Sequence, residues 1–160
     1  GRPEALAGRS PGAGGTQRRP RLTGVEAALD VMTTGRHIGA QTAHELGIID
    51  VIEDGDQMAN GIAYTQRLLD EGAARRPVSE MDPPTPIDWD AAFDAILAKG
   101  RGQISPAWCV RAVQASVEKP FAEGLKAERQ IFYDLMQTDQ RQGMIHAFFS
   151  ERAVGNLPEL

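Results

Sequence analysis

Residues 1–18 decide the fold, and they read GRPEALAGRSPGAGGTQR. They place a single acid, Glu4, ahead of a Pro11-Gly12 turn and a run of small residues that leads into a predicted helix. The start of such a helix presents backbone N–H groups and a partial positive charge. A carboxylate close to these donors suits proton transfer beside a polar oxygen. A glycine-rich turn with Glu4 as a solvated acid explains the same residues. No Gly-Lys-Ser/Thr follows, so the glycines do not form a phosphate loop.

The composition of the chain is that of an ordinary soluble globular domain. Its 160 residues are 41% hydrophobic and 24% charged, which suffices for one domain with a sizeable core. The net charge of −5 argues against nucleic acid as the main partner. No apolar run approaches the ~18 residues that a membrane span needs. Residues 1–21 nevertheless hold five Arg and one Glu, so any anion-binding function belongs near that end.

Cysteine and histidine usage points to neither a disulfide nor a metal site. Cys109 is the only cysteine, so no intrachain disulfide is possible and a reducing compartment is plausible. Its apolar helical context predicts a buried, inert thiol. The three histidines are scattered, and neither His-Glu-x-x-His nor paired cysteines occur, so no metal ligand set is predicted.

The hydrophobic pattern predicts a mainly α chain with one or two short strands. Helices are expected at residues 13–22, 25–34, 40–46, 54–71, 88–99, 105–118, from 120 onward and from 138 or 139 to the aromatic C-terminal part, with one strand at 48–52. Reciprocal caps are expected at Thr23 with Glu26 and at Asp54 with Gln57, and an N-cap at Asp88. The proline-rich residues 73–87 form an extended connector between residues 1–72 and 88–160, as a domain boundary or as a surface crossing within one unit.

The side-chain pattern predicts which faces of two helices are apolar. Met58, Ile62, Thr65 and Leu69 recur at helical spacing and predict an inward apolar stripe. In the helix after Pro120, the apolar face is interrupted by Glu128. Glu128, with Asp90, Asp94 and Glu123, is interpreted as a surface or helix-end charge. The cluster of Arg18, Arg19 and Arg21 suits either phosphate recognition or a solvated helix face.

Several segments together resemble the second half of the signature of the crotonase (enoyl-CoA hydratase/isomerase) family. The matching residues are 3–4 (PE), 11–18 (PGAGGTQR), 24–29 (GVEAAL), 34–38 (TGRHI) and 43–50 (AHELGIID). The resemblance implies the C-terminal portion of a spiral of ββα turns, followed by helices. It also implies acyl-CoA thioester substrates and a homo-oligomer, as a trimer or a dimer of trimers.

The resemblance assigns roles to two residues near the chain start. Glu4 matches the second catalytic glutamate of hydratases and is the expected general acid/base at the α-carbon of the thioester. Gly12 matches the glycine whose backbone N–H faces the reacting water. The first glutamate and both oxyanion N–H donors are expected in chain preceding Gly1, so these 160 residues are expected to be a fragment that is nearly inactive alone. Contacts to coenzyme A are also expected at Phe148 and Arg152.

The C-terminal part is similar to the linker helices of multifunctional β-oxidation proteins. The similar residues are 112–117 (AVQASV), 120–128 (PFAEGLKAE) and 146–152 (HAFFSER). In those proteins an NAD-dependent 3-hydroxyacyl-CoA dehydrogenase domain follows, so NAD is expected only there, with no cofactor in this segment. The implied location is cytoplasmic in a bacterium and otherwise peroxisomal or mitochondrial. Two alternatives are open: a Δ3-Δ2-enoyl-CoA isomerase, and a non-catalytic helical assembly module whose aromatic C-terminal face docks a partner.

Overall fold

The computed structural model describes residues 12–154, which form eight α-helices, one 3-10 helix and no strand. The α-helices are α1 (Gly15–Thr23), α2 (Val25–Thr34), α3 (Ala40–Glu45), α4 (Gln57–Asp70), α5 (Trp89–Lys99), α6 (Ser105–Glu118), α7 (Phe121–Met136) and α8 (Asp139–Val154). The 3-10 helix Val78–Glu80 lies between α4 and α5. The expected mainly α architecture is confirmed. Glu4 lies outside the described residues.

The strand predicted at residues 48–52 is not formed. The backbone N–H groups of Ile48 and Ile49 both donate to the carbonyl of Ala43, at 2.8 and 3.4 Å, and so close the end of α3. β-branched residues stabilise a strand only where a second strand pairs with it. Here the helix end accepts the N–H groups that a ladder would need.

The N-terminal caps follow the sequence prediction at one of three helices. Asp88 caps α5, and its carboxylate accepts from the backbone N–H of Ala91 at 3.0 Å. Thr23 is instead the last residue of α1, and Gly24 occupies the cap position of α2 without a side-chain bond. For α4 the cap is Asp56, two residues after the predicted Asp54.

The core joins helices from both sides of the proline-rich connector. Val25, Ala28, Leu29 and Met32 of α2 meet Val110 and Val113 of α6, with Trp89, Phe93 and Ile96 of α5 packed against them. Ile87, at the end of the connector, packs against the same cluster. Helices on both sides of residues 73–87 thus contribute to one hydrophobic cluster. The division of the chain into 1–72, 73–87 and 88–160 stays a prediction.

Helix α4 is the exception to this packing. None of its residues is buried, and Met58, Ile62 and Leu69 are 74%, 64% and 70% exposed. The predicted inward stripe is therefore wrong for the part of the chain that the structure describes. The spacing of these side chains gives one apolar face, but it does not supply the neighbour that would cover it.

Candidate functional site

Gly12 begins a tight turn that leads into α1. Its carbonyl accepts the N–H of Gly15 at 3.1 Å. The next two residues, Ala13 and Gly14, both have left-handed backbones, with φ of 56° and 79°. A Cβ on Gly14 would meet the Arg18 guanidinium and lie 2.9 Å from the Leu125 side chain. Both this lack of space and the left-handed backbone favour glycine at the position. A non-glycine residue such as Ala13 keeps this conformation only when its surroundings hold it.

The start of α1 is held by a buried carboxylate from α7. Glu128 is 3% exposed. Its Oε1 accepts the backbone N–H of Gly14 at 2.7 Å, and its Oε2 accepts the N–H and the hydroxyl of Thr16 at 2.9 and 2.5 Å. A negative charge at a helix N-terminus interacts favourably with the helix dipole, and its hydrogen bonds are of the strong, charge-assisted kind.

Glu128 corrects two sequence expectations. Its side chain is buried and not at the surface, and it caps the N-terminus of α1, a helix other than its own. The N–H groups of Gly14 and Thr16 at the start of α1, which the sequence analysis treated as available donors, donate to Glu128. The one available signal was the position of Glu128 on the apolar face of its helix, because a charge on a buried face needs a partner.

Gln17 fixes the same turn of α1 against α6 and α7. Its Nε2 donates to the carbonyl of Ala112 and to the Thr16 hydroxyl, both at 2.9 Å. Gly124 lets α7 approach at this point, since a Cβ there would collide with the Gln17 Oε1 and lie 3.2 Å from the Ala115 carbonyl. The start of α1 is thus anchored by polar contacts to residues about 100 positions later in the chain.

A cleft of about 470 Å³ opens beside the turn. Its lining combines Gly12 and the buried Glu128 with Arg18, Phe132 and Tyr133. The lining therefore brings backbone, cationic and aromatic groups to the position of the predicted Gly12 donor. Glu4, the predicted acid, lies outside the described residues.

The arginine cluster makes contacts within the chain. Arg18 donates to the carbonyl of Ala13 at 2.7 Å, and Arg21 donates to that of Gln17 at 2.7 Å. The two guanidinium groups lie 5.5 and 5.1 Å from the centre of the Phe121 ring, a cation–π arrangement. Partial burial lowers the pKa of Arg21 from its ordinary value. Arg18 and Arg21 thus both contact backbone carbonyls of their own helix region and the Phe121 ring.

The predicted coenzyme A contacts, Phe148 and Arg152, lie on α8. Phe148 is 52% exposed, and the Arg152 guanidinium lies 5.5 Å from the centre of its ring. Neither residue lines the cleft beside Gly12. Their role in binding coenzyme A stays a prediction.

Other site types find no support within residues 12–154. Cys109 is fully buried, as its apolar context predicted. No group of three or more His, Cys, Asp or Glu side chains among these residues is arranged to hold a metal ion. None of the described helices has the length and apolar character needed to cross a membrane.

The sequence is similar to those of known proteins. Residues 1–77 match the family described as enoyl-CoA hydratase/isomerase. The chain is 40% identical over 157 residues to the peroxisomal bifunctional enzyme of Cavia porcellus, and 40% identical over 156 residues to that of Homo sapiens. It is 31% identical over 167 residues to a glyoxysomal fatty acid beta-oxidation multifunctional protein of Brassica napus. These matches cover 96%, 95% and 99% of this chain but only 22%, 22% and 23% of the relatives. The chain thus spans less than a quarter of their length.

Proposed function

We propose that the whole protein containing this chain hydrates trans-2-enoyl-CoA to 3-hydroxyacyl-CoA in fatty-acid β-oxidation, because residues 1–77 match the family described as enoyl-CoA hydratase/isomerase. The chain contributes the second half of that site. In the reaction, water oxygen bonds to C3, a proton bonds to C2, and the C2–C3 double bond becomes single. The thioester carbonyl carries negative charge between these events, so the site needs an acid at C2 and hydrogen-bond donors at the oxygen.

Glu4 is the proposed acid and Gly12 the proposed backbone donor to the reacting water. The observation that carries the assignment is the turn at Gly12, which lies within the family-matched residues and at the edge of a cleft. A first glutamate and two oxyanion N–H donors are proposed to come from chain outside these residues. Since a missing acid or oxyanion donor costs about 10²–10⁴-fold in rate, the 160 residues alone are proposed to be nearly inactive.

Substitution of Glu4 tests this proposal in the whole protein. We expect Glu4→Gln to lower the rate of hydration by about 10²–10⁴-fold, because the amide cannot supply the proton. The matched control is Glu26→Gln, which changes an exposed acid in the first turn of α2. Hydration is followed by the loss of absorbance of the conjugated enoyl thioester. An undiminished rate in Glu4→Gln would eliminate the assignment.

Double-bond isomerisation is the second candidate, since the family description names both activities. Isomerisation moves one proton between C4 and C2 and adds no water. It can therefore use Glu4 without the reacting water that Gly12 is proposed to contact. A direct assay with a cis-3-enoyl-CoA separates the candidates: formation of the conjugated 2-enoyl thioester without hydration favours the isomerase.

The proposed partners follow from the same assignment. The substrate is an acyl-CoA thioester, and the product is passed to an NAD-dependent 3-hydroxyacyl-CoA dehydrogenase domain that follows this segment. NAD belongs to that domain, and no cofactor is assigned to residues 1–160. The proposed location is the peroxisome, on the names of the relatives. The protein is proposed to form a homo-oligomer, as a trimer or a dimer of trimers, or alternatively to have the intramolecular dehydrogenase domain as its partner.

A non-catalytic assembly module is the alternative outside enzymes. The observation that favours it is the exposure of Phe148 and Phe149 on α8, at 52% and 64%. Sizing of the protein with calorimetry of acyl-CoA binding distinguishes the two readings. A trimer that takes up no acyl-CoA supports assembly alone, whereas uptake supports the hydratase.

A further inference from the structure

The contacts of Glu128 extend beyond stabilisation of a helix end. We infer that Glu128 is a positioning residue for hydration: its carboxylate fixes the turn that presents the Gly12 amide to the reacting water. The inference rests on the proposed function, because it acts on the same site. It adds to that site a residue of α7, which lies outside the family-matched residues 1–77.

Glu128 accepts several hydrogen bonds, and their donors lie close to Gly12. Three hydrogen bonds reach Glu128 from Gly14 and Thr16, within four residues of Gly12, and both carboxylate oxygens are used. Capping of a helix N-terminus alone needs only a side chain that is near in sequence, as Asp56 and Asp88 show for α4 and α5. Here the acceptor comes from 112 to 114 residues away, and no side chain of the cap residue Gly14 can replace it.

The hydrogen bonds to Glu128 hold a turn of unusual backbone conformation. Ala13 and Gly14 are both left-handed, and Ala13 is one of two non-glycine residues with positive φ among those described. Such a conformation persists only when the surroundings hold it. Without the carboxylate, the Gly14 N–H loses its acceptor. The turn can then relax, and Gly12 moves with it.

The turn and the buried carboxylate share one cleft. Gly12 and Glu128 line the same cavity, so a displacement of the turn changes the wall that faces a bound ligand. A misplacement of about 1 Å in a catalytic group can cost about 100-fold in rate. Because Glu128 has both oxygens engaged by the protein, it acts through Gly12 and is not itself assigned a proton transfer.

The primary experiment measures kcat and KM of hydration in the whole protein with Glu128→Gln, at a temperature where circular dichroism shows it fully folded. The amide keeps the shape but replaces one acceptor oxygen by an N–H₂ donor, which then faces either the N–H of Gly14 or the N–H and hydroxyl of Thr16. We expect kcat to fall by about 10- to 100-fold, with KM within about threefold of the unchanged protein. The matched control is Glu123→Gln on the exposed side of the same helix, where both parameters are expected to stay unchanged.

A second pair of variants keeps the test decisive if Glu128→Gln does not fold. Thr16→Val removes, at nearly constant shape, the hydroxyl that donates to Glu128 and accepts from Gln17 Nε2, whereas Thr16→Ser retains it. We expect Thr16→Val to lower kcat selectively and Thr16→Ser to restore it. A role in stability alone does not predict a selective loss of kcat in protein that is fully folded.

If Glu128→Gln and Thr16→Val hydrate at wild-type kcat while Glu4→Gln does not, the inference is overturned and the proposed function stands. If only KM rises, or if Thr16→Ser is as impaired as Thr16→Val, the positioning role is overturned as well. If Glu4→Gln is fully active, the proposed function itself fails, whatever the result at Glu128.

Discussion

The junction of α1 with α7 and the surface of α4 differ in whether another part of the chain covers the apolar face of the helix. At the junction, Glu128 and Leu135 of α7 are 3% and 2% exposed, and the charge has three hydrogen-bond donors. On α4, Ile62 and Leu69 repeat at comparable helical spacing and remain 64% and 70% exposed. The difference teaches that an amphipathic pattern specifies which face of a helix is apolar. Which neighbour covers that face is decided elsewhere in the sequence.

The largest expected difference lies between leucines on the two helices. We expect Leu135→Ala to lower the free energy of unfolding of the 160-residue chain by about 2–5 kcal/mol, because it leaves a cavity in a packed interior. Leu69→Ala removes a side chain that is 70% exposed and should change it by less than about 0.5 kcal/mol. Urea unfolding of both variants measures the difference. Equal losses would contradict the comparison and indicate that α4 is also packed.

The next effect concerns the two acids of α7. Glu128→Ala should lower the free energy of unfolding by about 1–3 kcal/mol, since it leaves buried N–H groups of Gly14 and Thr16 without their acceptor. Glu123→Ala breaks only an exposed pair with Lys126 and should cost less than about 1 kcal/mol. Thermal and urea unfolding of the two variants provide the measurement. A Glu128 variant as stable as the Glu123 variant would show that the N–H groups find other acceptors.

Alanine substitutions at two helical glycines are expected to change the free energy of unfolding in opposite directions. Gly124→Ala places a methyl group against the buried Gln17 side chain, so we expect a net loss of about 1–2 kcal/mol from overpacking. Gly61→Ala on α4 meets nothing within 4 Å and should stabilise the helix by about 0.5–1 kcal/mol. Chemical denaturation of both variants measures the sign of each change in the free energy of unfolding. Stabilisation by both substitutions would refute the tight approach of α7 to α1.

The smallest effect is the pH dependence of the exposed pair. The hydrogen bond from Lys126 and then its charge lower the pKa of Glu123 from its ordinary value. A carboxyl with a lowered pKa in the folded state stabilises the fold above its unfolded pKa of about 4.3. That contribution is lost as the pH falls through the folded value. NMR titration of the Glu123 carboxyl should show the lowered pKa, and Lys126→Met should raise it. An unchanged titration in Lys126→Met would exclude the pair as the cause.

Local signals predicted the helices well. The cap at Asp88 and the helix break at Gly35 depend on residues within one turn, so the sequence alone contains them. The burial of Cys109 followed in the same way from its apolar neighbours. The strand at residues 48–52 failed because strand formation needs a distant partner, and the end of α3 accepts its N–H groups instead.

In the candidate site, too, residues within a local motif were predicted, whereas a contact between distant residues was not. The motif around Glu4 and Gly12 is contiguous, so the sequence pointed to it directly. The role of Glu128 is carried by contacts to residues 112 to 114 positions away, which no local pattern encodes. Its position on an apolar helical face was visible, but without a fold the sequence did not indicate which donors would compensate its charge.

Proton transfer at C2 by Glu4 is the central claim, and an isotope experiment tests it most directly. In D₂O, the whole protein with 2-enoyl-CoA should form a product that carries one deuterium at C2, detected by mass spectrometry. The account predicts that Glu4→Gln forms this labelled product about 10²–10⁴-fold more slowly. Labelling of C2 at the wild-type rate by Glu4→Gln would contradict it.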